Sequence, residues 1–317
     1  MAEKIHIFEV GPRDGLQNEK RQVPTALKLK WIQNLIEAGV MNFELGAFVR
    51  PDLVPQMADT EKLYAAVRAR KLKLGKAQPW ALVPNAQGLQ RAAQAGVKNI
   101  AVFTAATDGF NRANIGLSVR ESLDGIREVT KKARSLRMRV RGYVSTAFGC
   151  PFEGRVAPKK ALAVIEQLAD FGVEQVSIGD TIGVATLQAV DAVIRPSLLL
   201  LGGARVAVHF HDTRGVALAN TLRSIDLGVR TVDAAAGGLG GCPFAPGAKG
   251  NLATEDLIFL LEGMGMKTGI DLDELCLADL KFMKAMKREI SSRYLKAFES
   301  AGGHWPETIK KTRKKRV

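Results

Sequence analysis

The sequence predicts an α/β fold: eight parallel strands closed into a (β/α)8 barrel, with a C-terminal helical extension. Three observations predict it. Eight short β-rich runs alternate with longer stretches of helical periodicity. A phrase of the form A/F/L-G-V recurs before several of those runs, at 38–40, 95–97, 171–173 and 227–229, and each time reads as a helix end, a glycine stop and a strand start. The side chains able to do chemistry fall at the C-terminal ends of the strands, where barrel enzymes keep their active sites. A doubly wound open sheet is the competing architecture. Against it, no G-x-G-x-x-G follows the first strand.

In chain order, the first strand is IHIFEV (5–10), and it runs into GPRDGLQNE. Arg13 and Asp14 stand there between Gly11 and Gly15. That pair reads either as a plain β-turn with a surface ion pair or as reactive groups at a barrel mouth. A helix follows over PTALKLKWIQNLIEAG, with Leu27, Trp31, Leu35 and Ile36 at helical spacing, a proline near its start and a glycine at its end. The second strand, MNFELGAF (41–48), carries Glu44 between Phe43 and Leu45; a carboxylate in an apolar strand costs free energy unless it is paired or bound to metal. PWALV (79–83) and NIAVFT (99–104) are strands three and four. RVRGYVST (139–146) carries Tyr143, and EQVSIGD (174–180) ends in Asp180 at the rim. The eighth strand is RTVDAAA (230–236).

The seventh strand, ARVAVHF (204–210), carries half of the four histidines in the chain, His209 and the adjoining His211. Side chains alternate along a strand, so both point to one face. A single histidine would read as a satisfied core residue; two at a strand end present neutral imidazoles to one divalent metal. Asp212 faces the other way and is available to orient a neighbouring group. The loop after strand eight, GGLGGCPFAPGAKGNLATED, holds Cys242. An inert buried thiol is the commoner state of a lone cysteine, whereas a thiol between Gly and Pro in a loop reads as a nucleophile or proton donor. Asn251 opens a helix with Glu255 one turn on, and serves either as N-cap or as a metal ligand. Carboxylate, imidazole and amide oxygen together favour Mg2+ or Mn2+ over structural zinc, with Zn2+ and Co2+ left open.

Composition limits the alternatives. The chain has 317 residues, 46% hydrophobic, and carries a net charge of +14. Six of those charges lie in the tail KKTRKKR, which reads as a solvated end and leaves an excess of +8 for the rest. That remainder suits a small polyanionic ligand, and with 6% aromatics and no aromatic–basic interleaving no nucleic-acid partner is expected. Three cysteines without a C-x-x-C pair point to a reducing compartment. With no signal-peptide pattern and no apolar stretch of spanning length, the expectation is a cytoplasmic protein without a membrane partner.

Six segments in series, EVGPRDGLQNEK, VPQMADT, RGYVSTAFGCPFEG, GDTIG, VHFHDTRGVALANTL and GGLGGCPFAPGAKGNLATEDLIFLLEGMGM, resemble the 3-hydroxy-3-methylglutaryl-CoA lyase family over about residues 5–275. The resemblance implies a TIM barrel over 1–290, with 291–317 as a helical and basic tail. It implies divalent-metal-dependent retro-Claisen cleavage of an acyl-CoA substrate, and a homodimer. It implies Asp14, His209, His211 and Asn251 as metal ligands. Arg13 falls where the family stabilises enolate charge, and Cys242 where it carries a proton. Glu44, Tyr143, Asp180 and Glu255 match further active-site positions, with Glu44 and Glu255 also supporting the metal ligands. The catalytic set is thus Arg13, Glu44, Asp180, His209 and Cys242, and substrate binding falls on Arg13, Gln17, Tyr143, Arg214 and Lys249. His209 serves both metal and proton transfer, and either Asp14 or Asp180 is the base. The chain departs from the family pattern at Ala47, Arg50, Arg214, Val216 and Lys249. These changes touch the mouth and leave open a related 3-hydroxyacyl-CoA, or a 2-oxo-acid aldolase of the same superfamily. The added cations either pair with CoA phosphates or are solvated surface charge.

Overall fold

The computed structural model describes residues 3–241 and 250–304. Eight parallel strands close into a barrel: β1 (His6–Glu9), β2 (Asn42–Ala47), β3 (Gln78–Leu82), β4 (Asn99–Ala105), β5 (Arg139–Ser145), β6 (Gln175–Asp180), β7 (Val206–Phe210) and β8 (Thr231–Ala234). Each pairs with the next, and β1 closes on β8 with His6 opposite Thr231 and Glu9 opposite Ala234. All eight expected runs are strands, so the open sheet is excluded. Most runs overshoot by a residue or two at one or both ends, where the residues belong to loops, while β3 begins one residue earlier and β4 ends one later than expected; Ala236 already lies in a 3-10 turn, Ala236–Gly238.

Between strands run α1 (Thr25–Glu37), α2 (Thr60–Arg68), α3 (Ala86–Gln94), α4 (Asp108–Ile115), α5 (Val119–Ser135), α6 (Pro158–Asp170), α7 (Leu187–Leu201) and α8 (Ala217–Leu227). The recurring glycine phrase has a backbone cause. Gly39, Gly96, Gly172 and Gly228 all have positive φ. At Gly39 a Cβ would also come within 2.4 Å of the Gly269 carbonyl oxygen.

The barrel interior is not filled by branched aliphatics alone, as is usual for this architecture. Arg141 of β5 is fully buried. Its guanidinium lies 3.9 Å from the Phe8 ring centroid and forks onto Asp233 of β8, Nη2 to Oδ1 at 2.5 Å and Nη1 to Oδ2 at 3.2 Å. Nη1 also donates to the Tyr143 hydroxyl at 2.6 Å, and Nε to Gln175 at 2.9 Å. Ser177 of β6 donates to Asp233 at 2.7 Å. A charge pair costs less desolvation penalty when every remaining donor and acceptor finds a partner, and here the strands supply them.

Among the described residues three helices follow the barrel: α9 (Thr254–Gly263), α10 (Leu272–Met286) and α11 (Arg293–Ser300). The first corrects the expectation that Asn251 opens a helix. α9 starts at Thr254, and Asn251 instead forms an antiparallel bridge with His211. α10 packs on α1 through Trp31 stacked on Phe282, ring centroids 3.9 Å apart. α11 packs on α9 through Phe259 and Tyr294 at 4.9 Å, and Asp256 of α9 accepts from the Ser292 hydroxyl and the Arg293 and Tyr294 N–H groups. Among the described residues no helix is long and apolar enough to cross a membrane.

Arg141→Met is expected to destabilise the fold by about 3–5 kcal/mol, because it removes the guanidinium that balances the buried Asp233 charge and leaves it only Ser177 and His209. Urea unfolding of the variant against the parent chain measures this.

Candidate active site

The turn after β1 is not the surface β-turn that its sequence allows. Gly11–Gly15 forms one wide helical turn, and Arg13 within it is only 6% exposed. Its Nε and Nη2 both meet Glu44 Oε2 at 2.5 Å, and Nη1 donates to Asp14 Oδ1 at 2.7 Å. Glu44 is thereby paired, as a carboxylate inside β2 must be. Its other oxygen has no partner among the described residues. Burial pushes the Glu44 carboxyl up, against the pull of Arg13. Tyr143 closes the same layer, with Arg13 5.8 Å from its ring centroid and His209 edge-on at 6.2 Å.

Across the mouth, His209 and His211 lie on one face, ring centroids 5.2 Å apart. Ligand atoms of Asp14, His209 and His211 all fall within 4.8 Å of one another. His209 Nδ1 sits 3.3 Å from Asp233 Oδ2, which leaves Nε2 as its ligating atom. Asn251 Nδ2 donates to Asp14 Oδ2 at 2.9 Å and to the Leu239 carbonyl at 3.0 Å. Those two acceptors orient the amide, so its oxygen faces elsewhere. Among the described residues, Asn251 Oδ1 and His211 Nδ1 are buried with no partner. An orphaned imidazole nitrogen beside an ionised carboxylate and a second imidazole is what a divalent cation would satisfy, so Asp14, His209 and His211 fit a metal.

The electrostatics match that use. Burial lowers His211 to about 4, with help from His209, so it stays neutral and able to ligate. Burial would raise Asp14, but Arg13, His209 and His211 hold it down at about 2. Burial also works to lower His209; the hydrogen bond and charge of Asp233 outweigh it, and the net shift is upward.

The structure places the other expected residues as follows. Asp180 does not join this cluster: both its oxygens accept backbone N–H groups, from Val184 at 3.1 Å and Ala185 at 2.7 Å, and organise the turn after β6. Glu255 accepts from the Gly237 N–H at 2.8 Å, supporting the turn after β8. Asp212 caps α8 through the Ala217 N–H and pairs with Arg293. Exposed Arg214 donates to the Ile182 carbonyl at 2.7 Å. Arg50 pairs with Asp52 on the surface. Gln17 is half-buried just past the Arg13 turn. Ala47 lacks a hydroxyl, but its N–H donates to the Thr60 hydroxyl at 3.1 Å, so a hydroxyl does lie beside it. Cys242 and Lys249 lie outside the described residues. Two residues escaped the sequence reading, Asp233 and Arg141. The signal that found Glu44, a charge in an apolar strand, was present for both.

Known proteins resemble this chain over nearly its whole length. The HMGL-like family model matches residues 4–280. This chain belongs to that family. It is 43% identical over 297 residues to the cytoplasmic 3-hydroxy-3-methylglutaryl-CoA lyase of Rattus norvegicus, covering 94% of this chain and 85% of the relative. The hydroxymethylglutaryl-CoA lyase structure from Pseudomonas aeruginosa superposes with a TM-score of 0.90 at 40% identity, covering 95% of this chain and 99% of that one. An HMG-CoA lyase from Acinetobacter baumannii, solved in complex with coenzyme A and 3-methylmalate, gives 0.88 at 34%, covering 92% and 94%.

His211→Ala is expected to abolish Mn2+ binding in a direct titration while the circular dichroism spectrum is kept. Asp233→Asn is expected to weaken it by about 10–100-fold, through loss of His209 orientation. In the parent chain Mn2+ affinity is expected to fall with acidity through the raised His209 value, because proton and metal compete for the same imidazole. A pH series of the titration checks this.

Proposed function

We propose that the protein cleaves 3-hydroxy-3-methylglutaryl-CoA to acetyl-CoA and acetoacetate with a bound divalent metal, Mg2+ or Mn2+. The observation that carries the reading is the buried Arg13 held 2.7 Å from Asp14, a fixed cation against the carboxylate of the metal-ligand cluster. Full-length similarity to HMG-CoA lyases supports it.

Asp14, His209, His211 and Asn251 would hold the metal. When bound it supplies Lewis acidity toward the substrate's tertiary hydroxyl and fixes that group's geometry. The hydroxyl loses its proton and the bond to the carbon α to the thioester breaks. The electron pair moves toward the thioester oxygen. Arg13 stabilises that charge: a guanidinium has five N–H donors, three are engaged by Glu44 and Asp14, and two remain. Glu44 and Tyr143 keep its plane fixed. Asp14, ionised down to about pH 2, is too weak a base to take the hydroxyl proton and serves as ligand. His209, with Nδ1 on Asp233 and Nε2 left for the metal, serves as a ligand, and the hydroxyl proton leaves to water at the mouth. Cys242 delivers the final proton to the enolate carbon, and acetyl-CoA leaves. The same reading assigns substrate contacts to Gln17, Arg214 and Lys249, and a homodimer as the working form.

Incubation with 3-hydroxy-3-methylglutaryl-CoA is expected to give acetyl-CoA and acetoacetate with Mg2+ or Mn2+, and neither product after EDTA. Bound metal with no cleavage would overturn the substrate assignment. Arg13→Met is expected to cost about 10²–10³ in kcat with Mn2+ affinity within a few-fold. Cys242→Ser is expected to abolish turnover and leave metal affinity unchanged.

A further inference from the structure

Behind the turn that follows β8, three carboxyl groups are buried together: Glu9 at the end of β1, Glu255 in the first turn of α9 and Asp279 in α10, all at 0% exposure. Among the described residues no lysine, arginine or histidine pairs with any of them. Glu9 is saturated. Its Oε1 accepts from the N–H groups of Gly11 (2.7 Å) and Ala236 (2.9 Å), and its Oε2 from the Thr254 hydroxyl (2.6 Å). Glu255 and Asp279 are each half-saturated. Gly237 donates to Glu255 Oε1 at 2.8 Å, and the Trp31 indole to Asp279 Oδ1 at 2.7 Å. Their other oxygens, Glu255 Oε2 and Asp279 Oδ2, meet no donor among the described residues. The two carboxyl groups lie within hydrogen-bonding reach of each other.

An ionised carboxylate only accepts, so two of them cannot hydrogen-bond to each other without a proton. With no buried cation to balance them, two adjacent charges would also pay the full desolvation penalty and their mutual repulsion. We propose that Glu255 and Asp279 share one proton, and that Asp279 is a positioning residue for the metal site. The connections are short. Glu255 and Glu9 hold Gly237 and Ala236 of the turn leading to Leu239, whose carbonyl orients Asn251. Glu9 also holds Gly11, the first residue of the turn that carries Arg13 and Asp14. Both arms of the metal-ligand cluster thus rest on this carboxyl group of three.

Burial pushes both Glu255 and Asp279 up; the charge and hydrogen bond of Glu255 raise Asp279 further, whereas the hydrogen bond from Asp279 works to lower Glu255. The groups facing the pair are Glu9 from β1 and Asp256 from α9, both acidic, and the neutral Trp31 indole from α1. For groups whose folded value is raised, the stabilising contribution is complete below the ordinary carboxyl range and is lost as pH rises through the folded value. The shared proton is therefore present in acid and released toward alkaline pH, where like charges in contact loosen the turn.

This inference takes from the metal-site reading only its consequence for Asn251 and Asp14. The test compares the full chain with Asp279→Asn, whose amide can donate to an ionised Glu255 and keep the Trp31 hydrogen bond. Infrared difference spectra of parent minus variant at neutral pH, in which the Glu9 contribution common to both cancels, are expected to show a protonated-carboxyl band. From neutral to alkaline pH the Mn2+ affinity of the parent is expected to fall about tenfold relative to that of the variant, the His209 titration being common to both. A difference spectrum without that band, or parallel affinity curves, would overturn the proposal. Should Asp279→Asn not fold, Trp31→Phe keeps the stack on Phe282 and removes only the donor to Asp279. It is expected to move the alkaline transition of the pair to higher pH, and an unmoved transition would overturn the proposal. The carboxyl band needs neither substrate nor turnover, so its failure is distinct from failure of the lyase reading.

Discussion

Charge buried in the mouth of a barrel has to be paired, and the contact between Arg13 and Glu44 is where this protein meets that requirement. Glu44 has no exposure to water and Arg13 almost none. Their contact fixes the guanidinium from behind, so its remaining edge reaches Asp14 and the space in front of it. Without Glu44 the arginine would bring a desolvation cost that a lone partner at the rim could not offset. The wide helical turn Gly11–Gly15 follows from the same requirement. It bends the chain so that Arg13 points down into the barrel and Asp14 across it.

The same rule repeats one layer deeper. Arg141 and Asp233 form a second buried pair, and Asp233 passes its remaining acceptor capacity to His209. One imidazole is thereby held by a carboxylate while the other, His211, is left with an orphaned nitrogen and a lowered pKa. Two histidines that look equivalent in sequence thus differ in protonation behaviour. The difference comes from one strand, β8, supplying an acid beside His209 and none beside His211.

The support of the site is also electrostatic. Glu9 binds the turn after β1, the turn after β8 and the start of α9 with a single carboxyl group. Burial pushes that group up to about 7. The residues that touch substrate in the proposed reaction are therefore held by residues that never would, and those supports come from α9, α10 and α1 as well as the barrel strands. The C-terminal helices belong to this scaffold through the Trp31–Asp279 hydrogen bond and the stack of Trp31 on Phe282.

The sequence by itself determined the barrel and its working face. Period-two runs, helical stretches and glycine stops are local signals, and they survive folding because each strand and helix obeys its own periodicity. His209 and His211 were legible for the same reason, since a spacing of two fixes a shared face. What only the tertiary structure decided is which charges meet. Nothing local pairs Arg13 with Glu44 across 31 residues, Arg141 with Asp233 across 92, or Trp31 with Asp279 across 248. The helix expected from Asn251 failed for a related reason: its amide is spent on Asp14 and Leu239, and its backbone bridges to His211, so it caps no helix. Periodicity is a property of neighbours along the chain, whereas charge pairing in a closed barrel depends on which strands the closure sets face to face.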